Sequence, residues 1–209
     1  MTGPGRIEDE MFARNVPGST ELLRRATIAV AGCGGLGSNA AVALVRAGVG
    51  RLILADGDAV ELSNLNRQHF FRADIGRPKV LALADHLRAI NPDVALEPHE
   101  RRLAADDVPA LFAAADLLIE AFDVAESKKW LIEAWCRAFP DRYVVCASGI
   151  SGLGATEALK IRRAGRIVLC GDERSEMSAG LCAPRVAVAA NMQANVAIEL
   201  IVRGGRSGC

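Results

Sequence analysis

Six residues, Gly32-Cys33-Gly34-Gly35-Leu36-Gly37, stand between a short β-rich run and an Ala/Val/Leu-rich run. Glycine lets a backbone turn tightly, and it lets a phosphate come close to the free N–H groups at the start of a helix. Asp56 closes the next β-rich run, where a dinucleotide site keeps a carboxylate for ribose hydroxyls. These residues describe a site for a nucleotide that carries a ribose. They suit a nicotinamide or flavin dehydrogenase equally well, and glycines that merely pack a strand tightly against a helix would leave the same pattern.

The following segment narrows the chemistry. Asp56-Gly57-Asp58 leads into Ser63-Asn64-Leu65-Asn66-Arg67-Gln68, and Lys79 follows Pro78. A hydride-transfer site needs a flat apolar bed, and this stretch has none. It offers two cations and several amides beside a phosphate-binding helix start. Arginine contacts phosphate oxygens through two parallel N–H bonds, and lysine adds a point charge. That equipment suits a triphosphate. The alternative for Arg67 and Lys79 is a solvated loop and helix face.

The elements that must position these groups alternate along the chain. Strands are expected at 27–32, 51–56, 94–98, 116–122 and 143–148, with helices at 38–47, after Pro78, at 106–114, 127–139 and 185–203. Such alternation predicts an α/β, doubly wound, mostly parallel Rossmann-like sheet with helices on both faces and ligands at the carboxyl ends of its strands. Two further strands, 155–162 and 166–170, break the rhythm and predict a small antiparallel addition near the C-terminal part. Residues 1–26 read as a leader helix segment, 27–203 as one nucleotide-binding domain and 204–209 as a flexible tail.

Composition excludes several classes. Hydrophobic residues make up 51% of the 209, enough for a real core. Lys+Arg and Asp+Glu are 25 each, so no summed positive charge favours nucleic acid or an anionic membrane. The longest apolar runs, 26–36 and 186–190, are short or broken by Gly and Asn, so no membrane span is expected. The six cysteines are scattered, several within apolar runs, which suits buried thiols in the cytoplasm rather than a disulfide framework. No C-x-x-C pair occurs, so no structural zinc is expected. His69, His86 and His99 have no metal-ligand spacing.

GCGGLGS, AGVGRLILAD, SNLNRQ, IGRPK, EAFD and APRV, read together, resemble the ThiF/MoeB/HesA family, prokaryotic relatives of the ubiquitin-activating enzymes. The likeness runs from about Ile28 to about Leu200. It implies a cytoplasmic homodimer that binds ATP and Mg²⁺ and adenylylates the C-terminal glycine of a small ubiquitin-fold carrier protein ending in Gly-Gly. A thiamine-pathway carrier is favoured, and a molybdopterin-pathway carrier would use the same ATP chemistry.

On this resemblance Gly32, Gly34, Gly35 and Gly37 cradle the nucleotide and Asp56 holds the ribose. Asn64, Arg67, Gln68 and Lys79 contact phosphates, with Asp58, Ser63 and Asn66 in the same nucleotide site. Asp123 carries Mg²⁺, its alternative being a helix N-cap. Val124 stands where many relatives have Asn. Arg14 is the candidate for an arginine contributed by the partner subunit; Arg24 or Arg25 could take its place, and a solvated leader arginine is the alternative. Cys182 lies near the region where some relatives link covalently to the carrier, but a buried or incidental thiol is the favoured reading.

Overall fold

The computed structural model describes residues 10–206. Seven strands form one sheet: β1 (Thr27–Ala31), β2 (Arg51–Asp56), β3 (Ala95–Glu100), β4 (Leu117–Glu120), β5 (Tyr143–Ala147), β6 (Lys160–Ala164) and β7 (Ile167–Gly171). The spatial order is β3-β2-β1-β4-β5-β7-β6. Every pairing is parallel except β6 with β7. The fold class expected from the alternation is therefore the one observed.

Helices cover both faces. On one side lie α2 (Gly35–Ala47), α3 (Lys79–Ile90) and α6 (Ala183–Arg206), packed on Ile28, Val30, Leu52, Leu54, Leu117 and Ile119. On the other lie α4 (Asp107–Leu111) and α5 (Ala125–Ala138); Phe112, just after α4, and Leu131 and Trp135 of α5 meet Ala29, Ala31, Ile53, Leu118 and Val144. Successive strand residues point to opposite faces, and both faces are buried. That is why the inner strands β1, β2, β4 and β5 are mostly continuous apolar runs.

Several boundaries differ from expectation by a few residues, and three of them bear on the fold. The sixth strand begins at Lys160, not 155, because Gly152, Gly154 and Ala155 all have positive φ and cannot continue an extended strand. The helix expected at 106–114 spans only Asp107–Leu111. The last helix runs on to Arg206, so the tail expected from 204 does not begin there. Residues 207–209, Cys209 included, lie outside the described part.

By length and mean hydropathy, Ala183–Gly204 is apolar enough to cross a membrane. Sequence reading missed this because Asn191, Gln193 and Asn195 interrupt the run. In this fold the helix packs on the sheet, and Val186, Ala189, Ala190, Ala194, Val196 and Ala197 are buried.

Of the leader, Thr20–Arg25 forms the short helix α1. Phe12 is buried against Gly48, and the Asn15 amide donates to the Ala47 carbonyl at 2.9 Å. These contacts tie the leader to the end of α2 in the same chain. The edge strand β6 is exposed throughout, and its Lys160, Arg162 and Arg163 guard it against unwanted strand pairing.

Candidate active site

The strand order reverses between β1 and β4, and in open α/β sheets ligands bind beyond the carboxyl ends of strands at such a point. A cavity of about 590 Å³ opens there. Its size falls within the range of small-molecule sites.

The glycine loop forms one wall through Gly32, Gly34 and Gly35. Gly32 has φ +94°, and a Cβ there would meet the Ala121 carbonyl oxygen at 2.8 Å. The loop after β1 and the loop after β4 thus touch backbone to backbone. Gly37 has a different role from the one expected, since it does not line the cavity. A Cβ on it would stand 1.8 Å from the Gly32 oxygen, so it lets the turn close. Gly34 is open: an added methyl would lie 3.7 Å from the Gln68 amide. Gly34→Ala is therefore expected to fold with a melting temperature close to the parent's, yet to lose most of the ATP-induced rise in melting temperature. The methyl would occupy the space a phosphate needs. A full ATP-induced rise in that variant would argue against a phosphate site here.

Asp56 ends β2 at the cavity. Its carboxylate accepts N–H bonds from Cys33 at 2.6 Å and Asp58 at 2.8 Å. Burial pushes this carboxyl up, and those two N–H groups together with the Lys79 charge pull it back. Lys79, the first residue of α3, is only 7% exposed, and its ammonium lies 3.2 Å from Asp58. Arg67 reaches the same cavity and is steadied by the Asn66 side-chain oxygen at 2.8 Å and the Ser63 carbonyl at 3.2 Å. Asn39 of α2 donates to the Arg67 carbonyl at 2.9 Å, locking this loop to the glycine loop's helix. Gln68 lines the cavity too, and its buried Oε1 has no hydrogen-bond partner among the described residues.

Ser63, Asn64 and Asn66 do not reach the cavity wall. The Asn64 oxygen accepts the Glu61 N–H at 3.0 Å, and the Ser63 hydroxyl donates to Glu61 at 3.2 Å. These polar groups shape the loop that presents Arg67. Arg14 is exposed and lies outside this chain's cavity. Cys182 is half-buried just before α6 and also outside the cavity wall. Burial raises the thiols of Cys33 and Cys170, the latter to about 12, so neither is a ready nucleophile.

Asp123 stands exposed on the cavity side of the loop after β4. It does not cap α5: the N-cap is Val124, and no side chain closes that end. Beneath it is a feature that sequence reading missed. Glu120 is fully buried at the end of β4. The Lys128 ammonium lies 3.0 Å from one of its carboxylate oxygens and 2.9 Å from the other, and also donates to the Phe122 carbonyl at 2.7 Å. Glu120 accepts the Phe122 N–H at 2.7 Å as well. Gln193 of α6 donates to the carbonyls of Glu120 and Val145, bridging β4 and β5. This buried pair fixes the turn that carries Asp123. The available signal was a lysine one helical turn into α5, but helix periodicity assigns such a residue to solvent.

A third wall, also unforeseen, comes from the loops after β5 and β7. It includes Ser148, Gly149, Ile150, Ser151, Ser175 and Met177.

The sheet order, the glycine loop at the reversal and the cations beside it define a nucleotide-binding α/β domain. The chain matches the ThiF family over residues 10–207 and belongs to that family. It is 34% identical over 181 residues to the sulfur carrier protein ThiS adenylyltransferase of Escherichia coli, covering 83% of this chain and 71% of that one. It is 32% identical over 204 residues to the molybdopterin-synthase adenylyltransferase of Salmonella typhimurium, covering 89% and 77%. Other curated relatives are longer: the chain matches 22% of one and 43% of another. Among solved structures, E. coli tRNA N6-threonylcarbamoyladenosine dehydratase TcdA in complex with ATP has a TM-score of 0.86 at 21% identity, covering 99% of each chain. That likeness is one of fold.

Proposed function

We propose that this chain uses ATP to adenylylate the C-terminal glycine carboxylate of a small ubiquitin-fold sulfur carrier of the ThiS type. The observation that carries this reading is the convergence of Arg67 and Lys79, from separate segments, on the cavity that the glycine loop walls. A carboxylate oxygen attacks the α-phosphorus. The bond from that phosphorus to the bridging oxygen breaks, pyrophosphate leaves with the electron pair, and an acyl-adenylate remains. Two anions must approach each other, and negative charge then grows on the departing pyrophosphate. Fixed cations in a partly dry site lower that barrier, and little covalent help is needed.

Gly34 and Gly35 leave room for phosphates, Asp56 takes the ribose hydroxyls, and Arg67 and Lys79 hold phosphate oxygens. Gln68 lines the same cavity, its amide nitrogen beside the open space at Gly34. Among the described residues, no three His, Cys, Asp or Glu side chains gather into a metal site. Mg²⁺ needs no such cage, because it is commonly held by one or two carboxylates, substrate phosphates and water. The cavity-facing Asp123, with no ion pair among the described residues, fits that pattern. When bound, Mg²⁺ would supply charge to the phosphates. Asp123→Asn should bind ATP alone as the parent does, but Mg²⁺ should no longer add to the ATP-induced thermal shift. An undiminished Mg²⁺ increment would remove Asp123 from this role.

The ThiS-type carrier is favoured by the 34% identity over most of the chain, and the molybdopterin-pathway carrier is the second reading because a relative of that kind aligns over 89% of it. Balanced charge favours a protein tail over a polyanionic acceptor. We further assign a cytoplasmic homodimer in which Arg14 acts in the site of a second copy. The exposure of Arg14 outside its own cavity supports a role in a second copy's site. The test is to mix the protein with ATP, Mg²⁺ and each carrier, then weigh the products. An AMP adduct on the ThiS-type carrier is expected. An adduct only on the molybdopterin-pathway carrier would reassign the pathway, and no adduct on any Gly-Gly carrier would overturn the reading.

A further inference from the structure

Arg185 is the third residue of α6, and its side chain is 5% exposed. A cation near a helix N-terminus opposes the helix dipole, and a buried charge is unfavourable unless fully partnered. Here every face of the guanidinium is used. Its Nε donates to the Ser151 carbonyl at 2.8 Å. One terminal nitrogen donates to the carbonyls of Gly154 at 2.5 Å and Ala155 at 3.1 Å. The other meets the Asp172 carboxylate at 2.5 Å.

Asp172 in turn accepts the N–H groups of Arg174 at 2.8 Å and Ser175 at 2.7 Å. The Ser175 hydroxyl accepts the Ser151 N–H at 3.1 Å, and Gly152 donates to the Gly180 carbonyl at 2.8 Å. One buried side chain thus sews the loop after β5 to the loop after β7. Both loops need holding. Ala155 and Glu173 are the two non-glycine residues with positive φ among the described residues, and one lies in each loop.

These loops make the cavity wall that carries none of the phosphate-directed groups. That wall presents backbone, the serine hydroxyls, Ile150, Glu176 and the exposed Met177, with Leu153 exposed beside it. An extended peptide is recognised by such a surface through main-chain hydrogen bonds and side-chain contacts. We infer that Arg185, through Asp172, is a positioning residue that sets the acceptor wall, where the carrier's extended C-terminal tail lies on its way to the nucleotide. The inference rests on the adenylyltransferase reading above. It adds that one ion pair tunes the acceptor side independently of ATP.

The experiment compares the full chain with Arg185→Met, Arg185→Lys and Asp172→Asn. Three quantities are read: ATP binding by calorimetry, the KM for ATP and for carrier in carrier-dependent pyrophosphate exchange, and hydrogen exchange of segments 148–155 and 172–181. Arg185→Met should keep the ATP affinity and the KM for ATP. It should raise the carrier KM about tenfold or more and speed hydrogen exchange in both segments together. Arg185→Lys keeps a cation beside Asp172 but loses the fork to three carbonyls, so it should fall between. If Arg185→Met does not fold, Asp172→Asn must give the same split. An unchanged carrier KM, equal loss of ATP and carrier binding, or unchanged hydrogen exchange in the two segments would overturn the inference. Failure of the parent protein to catalyse any carrier-dependent exchange would instead defeat the adenylyltransferase reading, and the hydrogen-exchange arm would still judge the clamp.

Discussion

Lys79→Met should lower carrier adenylylation by about 100-fold or more while leaving the protein folded. Methionine keeps most of the buried volume of a side chain that is 9% exposed. The lost ion pair with Asp58 contributes little to stability, because the Asp58 side chain is 54% exposed and remains hydrated without its partner. On the proposed function, what disappears is a fixed positive charge at the place where negative charge grows on the phosphates. Such a charge matters more in the transition state than in bound ATP, so kcat should fall further than ATP affinity. Arg67→Ala should behave alike. The double variant should be far less than multiplicatively worse, since the two cations act on the same departing group. Single-turnover formation of the carrier–AMP adduct measures this. A rate within about threefold of the parent for both single variants would mean that these cations do not serve the reaction.

The second large effect concerns the buried pair beneath Asp123. Lys128→Met strips the cation from a fully buried carboxylate, which is expected to cost about 3–5 kcal/mol. For a chain of this size that is a fall in melting temperature on the order of 10 °C. Lys128→Met with Glu120→Gln should recover most of the loss, because no uncompensated charge then remains. The pH dependence has a definite sign. Burial already raises the Glu120 carboxyl above its ordinary 4.5, against the pull of Lys128. Removing Lys128 raises it further. A carboxyl whose folded pKa exceeds its unfolded one destabilises the fold as pH rises from the unfolded value through the folded value. The Lys128→Met defect should therefore be smaller near pH 5 than at pH 8. Denaturant unfolding at the two pH values measures it. A defect independent of pH, or a double variant no better than the single one, would show that the pair is not what supports this turn.

Much of the site was legible because it is local. The spacing of Gly32–Gly37 puts a turn between a strand and a helix, and Asp56 ends the neighbouring strand by the same alternation that defines the fold. Lys79 follows Pro78, a natural helix opening, so its place at the start of α3 beside Asp56 could be read directly. Side-chain polarity alone does not say which way Ser63, Asn64 and Asn66 face. Short turns consume local polar groups in their own hydrogen bonds, and only the structure tells a loop-shaping amide from a ligand-facing one. Gly37 resembled the cradle glycines, yet it is required by a backbone approach from Gly32.

The least legible parts depend on residues distant in the chain. Lys128 finds Glu120 eight residues back across a strand–helix turn, and helix periodicity alone places it on the surface. Arg185 joins segments more than thirty residues apart. Its motif was noticed, but nothing in the spacing says that the guanidinium would be buried. The late start of β6 follows from left-handed residues at 152–155, which a run of apolar and β-branched types does not reveal.

On the proposed function, Arg67 and Lys79 hold a triphosphate so that a carrier's tail can displace pyrophosphate from it. Carrier-dependent exchange of labelled pyrophosphate into ATP tests it most directly. Exchange is expected with an intact Gly-Gly carrier, none when the last glycine is deleted, and near-complete loss in Arg67→Ala and Lys79→Met. Exchange that proceeds equally in those two variants, or equally without the terminal glycine, would contradict it.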